Sequence, residues 1–583
     1  MDRIRRNLVQ AIGAGTTLAL AGCGGGSSSS TPVVNNPAPN VPADPEPPGG
    51  PDALPSVAFL HGVASGDPLA DRVILWTRVT PDQSGVVVPV EVKVASDPAM
   101  QQMVSSYTTT TNADADYCVK IDADGLDAGR WYYYQFQVGE TQSPVGRTRT
   151  FPAAADFIDR ARFAVVSCSN FPYGFFSVYR AVANQGDLDF VLHLGDYVYE
   201  YGAGEYGDFP ERDPQPSNEM VSLSDYRLRH AQYKTDEDLQ AVHQQFPMIA
   251  VWDDHESTDN SYRDGASNHQ PLTEGDWETR KGVARQAYFE WLPIRPREPG
   301  NHDVIYRQFR FGDLIDLTML DTRLEGRDAQ LTVPLDPARN DEDRHLISSE
   351  QMDFLLEALS QSDAHWRFIG QQVMFAQLNI LEIPSLDERS AQLRGNLSAI
   401  NMDQWDGYAA DRLTILNHID DHDIDNVVIL TGDIHTSWAN EIYRNPGSLL
   451  GDLFDKPLAA EFVTPAVTSP GFPEGAAEVA GVLIPVVNPH IRYVEAKSRG
   501  FILVDVTRDR AQGEFYYAQS IDSYDLRGQI DTRKTKVVAV KSGDSRIVED
   551  GPVSRPRTLR TALFHPPVSS PVGGVKSRKE VLS

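Results

Sequence analysis

Cys168 in SCSN, Asp196 and Tyr199 in LGDYVYEY, Asp254 and His255 in DDHE, and Asp433 and His435 in GDIH offer thiol, carboxyl, phenol and imidazole groups. These side-chain types hold metal ions. A metal centre would also answer a problem set by composition. The chain has 82 Asp+Glu against 52 Lys+Arg, a formal charge of −30. An anionic substrate would need a local cation to overcome that field, and nucleic acid has no basic face to bind. Each stretch alone has an ordinary reading. A Gly-Asp pair is a turn, a lone cysteine a small buried hydrophobe, Tyr199 a packing aromatic and DDHE a solvated acidic loop or a helix start. Asp433 with His435 could be a strand-end hydrogen-bond pair. Four such groups in one region weigh more than any one. In D-I-H the side chains lie two residues apart, and on extended chain they point the same way.

The elements that must position these groups are apolar runs. RFAVVS, DFVLHL, PMIAVW and NVVILT each stand just before one of the four stretches, and LIDLTML and WRFIGQQVMF are similar runs. Between them lie SLSDYRLRHAQYKTDEDLQAVHQQF, WETRKGVARQAYFEWL, SSEQMDFLLEALSQ and DQWDGYAADRLTILNHI, with apolar residues spaced three and four apart as in helices. Strand–loop–helix order predicts an α/β layered domain over residues 162–540. In such sheets ligands gather beyond the carboxyl ends of strands, where the four stretches lie. Ahead of it, RVILWTRV, VVVPVEVKVAS, YCVKID and RWYYYQFQVG predict an all-β sandwich over 57–151 with no catalytic constellation, Cys118 being a core thiol.

The ends of the chain read differently. Residues 1–22 carry paired arginines, RRNLV, and an uncharged segment too short and glycine-rich to span a bilayer. The arginines resemble a twin-arginine export signal, with the Tat machinery as partner, and Leu20-Ala21-Gly22-Cys23 resembles a lipoprotein cleavage box. Residues 23–56, rich in Gly, Ser and Pro, read as a tether, and 541–583 as a C-terminal tail. The expectation is an exported protein, periplasmic or at the cell surface, that meets a membrane only through a lipid on Cys23.

Taken in order, SCSN, HLGDYVYEY, VWDDHE, QAYFEWLPIR, WDGY and TGDIHTSW resemble the calcineurin-like metallophosphoesterases, and more closely the PhoD-type alkaline phosphatases and phosphodiesterases. FLHGVASGDPLADRVILWTRV resembles the leading domain of that family, and the likeness runs from residue 58 to about 530. It implies a layered sandwich of two β-sheets flanked by helices. It implies Asp196 as a bridging ligand, with Cys168, Tyr199 and His435 completing an Fe(III) shell. Asp254 stands where the wider superfamily has the asparagine of G-N-H-E, and Asp433 where it has the first histidine of G-H-x-H. Carboxylates in place of neutral ligands suit Ca²⁺ better than zinc, so the resemblance implies Fe(III) beside one or more Ca²⁺. A further Ca²⁺ near Asp253 goes beyond what the sequence assigns.

His255, in the place of the histidine of G-N-H-E, is the catalytic candidate, assisting at the leaving oxygen or steadying the nucleophile. Ser169 and Asn170 are candidates for phosphate contact. The implied activity is hydrolysis of phosphate mono- or diesters by metal-bound hydroxide. The alternatives are a phospholipase D-type enzyme acting on lipid headgroups and a non-catalytic surface-binding lipoprotein. A complete ligand set argues against the last.

Overall fold

A computed structural model describes residues 54–333, 336–379, 401–444, 446, 456–548 and 551–557. The expected signal segment, Cys23, nearly all of the tether and the tail beyond 557 lie outside the described residues.

The apolar runs form the middle of two sheets. Arg160–Val166, Phe190–His193 and Met248–Ala250 lie side by side and parallel in a ten-stranded sheet. Ile315–Met319, Trp366–Gln371, Val427–Thr431 and Ala459–Val463 do the same in a seven-stranded sheet. Strands buried on both faces need no polar alternation, which is why these runs are nearly all apolar. Val165, Leu192 and Ile249 of the first sheet share one core with Leu317, Val428 and Phe462 of the second. Tyr233, Val242 and Tyr288, from helices Leu223–Lys234, Glu237–Gln245 and Trp277–Trp291, join that core. Helices Ser349–Gln361 and Ala409–Asp421 pack Leu355, Leu359, Ile415 and Leu416 against Ile369 and Ile429 of the seven-stranded sheet. The result is the expected α/β layered sandwich. The long helical stretch 222–246 is two helices, because the Asp236 carboxylate caps the second by accepting from the Asp238 and Leu239 amides.

The leading all-β region encloses a core of its own, with Val73, Leu75, Val90, Val92, Tyr134 and Phe136 between two layers. One layer is a separate five-stranded sheet. The other, Val63–Gly66, Val73–Arg78 and Cys118–Ala123, extends the ten-stranded sheet. The junction is the parallel pair Gly66 and Met248. A side chain at Gly66 would stand 2.4 Å from the Met248 and Pro293 carbonyl oxygens, so only glycine lets the strands join. The Cys118 thiol is buried in this layer.

The core also holds basic groups away from carboxylates. Lys234 bonds His243 at 3.0 Å, and the His230 ring lies parallel to Trp291 with neither nitrogen partnered among the described residues. Burial, helped by the Lys234 and Arg229 charges, pulls the His230 pKa down to about 3. The unfolded chain protonates first, so this group weakens the fold as pH falls below about 6.5. His230→Phe should flatten the pH dependence of unfolding between pH 4 and 6 by up to about 1.4 kcal/mol per pH unit. Denaturant melts of both proteins across that range check it; parallel curves would mean His230 is protonated in the fold.

Candidate metal centre

Four strands of the two sheets end at one place. Arg160–Val166 leads to Cys168, Phe190–His193 to Asp196, Met248–Ala250 to Asp253, and Val427–Thr431 to Asp433. Each chain turns sharply there. Cys168, Asp196, Asp433 and His435 have φ of 60°, 55°, 61° and 60°, a left-handed conformation that costs non-glycine residues on the order of 1–3 kcal/mol each and recurs at functional sites. Gly195 is needed for close approach: at φ +99°, an added side chain would stand 2.4 Å from the Asp253 Cβ.

The turns bring the seven sequence candidates together. Ligand atoms of Cys168, Asp196 and His435 lie within 4.8 Å of one another, as do those of Asp196, Asp254 and His255, and those of Asp253, Asp254 and Asp433. Asp196 belongs to the first two groups and Asp254 to the last two. The Tyr199 hydroxyl donates to Asp196 Oδ2 at 2.9 Å, lies 3.2 Å from His435 Nε2 and accepts from Ser469 at 2.7 Å. His435 Nδ1 donates to the Pro470 carbonyl at 3.1 Å, which leaves Nε2 as the ligating nitrogen. Burial, then the Asp196 charge, pushes both the Cys168 thiol and the Tyr199 phenol well up. Burial, with Asp403 and Asp254 close by, raises Asp433 to about 6 against the pull of Arg323.

This donor set fits metal ions. Buried Asp196 Oδ1 and Asp253 Oδ2 have no hydrogen-bond partner among the described residues, and crowded acids of this kind ionise together only beside cations. Thiol, phenol and imidazole gather on the side of Cys168, Tyr199 and His435, and carboxylates on the side of Asp253, Asp254 and Asp433.

His255 sits between this cluster and a buried carboxylate. Its Nδ1 is 2.7 Å from Glu200 Oε2, and its ring lies 4.2 Å from that of Tyr199. Ser169 is turned inward, its hydroxyl donating to the Tyr197 carbonyl at 2.9 Å, and the Asn170 amide donates to the Tyr206 carbonyl at 3.1 Å.

Several residues here were not singled out from sequence. The fully buried Arg323 guanidinium reaches Asp253, Asp433 at 2.8 Å, Asp403 at 3.0 Å and Asp254 at 3.8 Å. Glu256 accepts the Asp253 amide at 2.7 Å and the Asp196 amide at 3.1 Å, tying two strand ends together.

Comparison with known proteins gives a consistent result. The model of the PhoD-like phosphatase family matches residues 163–515, and that of the PhoD-like phosphatase N-terminal domain matches 46–152. Alkaline phosphatase D of Bacillus subtilis (strain 168) is 37% identical over 478 residues, covering 79% of this chain and 77% of that protein. A solved structure of PhoD superposes with a TM-score of 0.75 at 32% identity, covering 87% of this chain and 94% of that one.

Proposed function

Since the chain belongs to the PhoD-like phosphatase family and is a hydrolase of phosphoric ester bonds, we propose that it is an exported phosphomono- or phosphodiesterase working with Fe(III) and Ca²⁺. The observation that carries this reading is the overlap of ligand groups at Asp196 and Asp254, running from Cys168 and His435 at one end to Asp253 and Asp433 at the other. Cys168, Asp196, Tyr199 and His435 would hold iron, and Asp254 and Asp433, with Asp253, would hold calcium. Bound there, the cations would neutralise the phosphoryl oxygens and acidify the attacking water. His255 would give a proton to the leaving oxygen, and Glu200 would keep its ring in place. The fold would leave the cell through the Tat machinery and stay tethered by a lipid on Cys23.

The deciding experiment is elemental analysis of purified protein, followed by assays on a phosphate monoester, the matching diester and a phospholipid. A Ca²⁺-selective chelator should abolish activity and added Ca²⁺ restore it, with zinc a poor substitute. Activity that survives prolonged chelation would remove calcium from the proposal.

Iron held by phenolate and thiolate should also colour the protein. Tyr199→Phe is expected to bleach or shift a visible charge-transfer band. A colourless, iron-free and fully active wild type would overturn the iron assignment.

A further inference from the structure

The side of the metal centre that carries His255 is walled by tyrosines with no part in the chemistry above. The Tyr206 ring lies 5.2 Å from that of Tyr201, 5.6 Å from Tyr173 and 6.4 Å from the His255 imidazole, nearly parallel to it at 19°. Tyr201 is 5.5 Å from the same imidazole. All three tyrosines stay partly exposed beside the buried histidine. None of their hydroxyls bonds another described residue, although tyrosines packed this closely usually find a partner.

The wall is held rigidly. Asn170 donates to the Tyr206 carbonyl at 3.1 Å, and Arg229 to the Tyr201 carbonyl at 3.1 Å. The Phe209 amide donates to the Pro172 carbonyl at 2.9 Å. Both loops that carry the rings therefore hang from the turns that deliver Cys168 and Asp196. Charged groups stand around the rings, Glu200, Asp259 and Asp254 near Tyr201 and Arg499 and Asp208 near Tyr173. What the wall itself offers a leaving group is ring faces.

We propose that Tyr173, Tyr201 and Tyr206 form a leaving-group subsite that selects phosphate esters of alcohols carrying a flat aromatic group. The inference rests on the phosphoesterase reading, with His255 at the leaving oxygen. Aromatic pairs contribute beyond their buried area, so shape and apolarity alone do not account for such a preference.

Benzyl phosphate and cyclohexylmethyl phosphate separate the two effects, since both release primary alcohols of similar size. In the metal-replete wild type, kcat/KM should favour the benzyl ester about tenfold. Tyr201→Leu/Tyr206→Leu should bring the ratio close to one at unchanged iron and calcium content, and Tyr206→Phe should keep it. A wild-type ratio near one, or a ratio unmoved in the double leucine variant, would overturn the subsite alone. Failure of the wild type to cleave either ester, as the monoester or as its methyl diester, would overturn the phosphoesterase reading as well.

Discussion

His255→Ala is expected to slow turnover of alkyl phosphate esters by about 10²–10⁴-fold and to affect nitrophenyl esters far less, with metals still bound. An alkoxide leaves poorly and needs a proton, whereas a nitrophenolate leaves without one. The imidazole is built to supply it. Nδ1 is engaged by Glu200 at 2.7 Å, so Nε2 is the nitrogen left for the leaving oxygen. Burial disfavours the charged ring, but the Asp254, Asp196 and Glu200 carboxylates raise its pKa well above the usual imidazole range in the metal-free protein. Glu200 is itself fixed, accepting the Asp259 amide at 2.9 Å and the Asn268 side chain at 3.1 Å. Glu200→Gln should show the same dependence on leaving group with a smaller loss, because the ring keeps a partner but loses a charge. Equal losses on both ester types in a metal-replete His255→Ala protein would leave His255 as a brace for the DDHE turn.

What was legible in the sequence follows from how the site is made. Cys168, Asp196, Asp254 and Asp433 come just beyond apolar runs, so chain order alone places them at strand ends. The layered architecture follows from the same runs. Glu200 has no such marker, because its partner lies 55 residues away and only the fold brings them together. Asp403 reaches the centre from a loop that no strand rule addresses. Arg323 is different. It follows the strand Ile315–Met319 by a few residues, as readable as the others, but a search for metal donors passes over an arginine. The continuity of the all-β region with the ten-stranded sheet rests on a backbone pairing at Gly66, which side-chain patterns do not report.

Arg323→Gln is expected to weaken calcium binding by about 10–100-fold, the usual effect of removing an outer partner of a metal ligand, while the iron side keeps its visible band. The guanidinium takes Oδ1 of Asp253 and Oδ1 of Asp433, and Asp253 Oδ2 is left without a partner among the described residues. Asp253 thus has one oxygen held and the other presented, whereas Asp433 is held at both, its Oδ2 accepting from the Gln404 side chain at 3.2 Å. A planar fork can span three acids at once; lysine, a single point charge, cannot, so Arg323→Lys should rescue poorly. Removing this cation also leaves Asp253, Asp254, Asp403 and Asp433 facing one another, and unpaired buried charge is strongly destabilising. The metal-free variant should therefore melt well below metal-free wild type, and added calcium should close most of the gap. Calcium titrations followed by thermal melting, with the visible band recorded on the same samples, separate the two sides of the centre. Equal loss of iron and calcium would make Arg323 a general support of the fold, whereas unchanged calcium affinity would mean the carboxylates orient themselves without it.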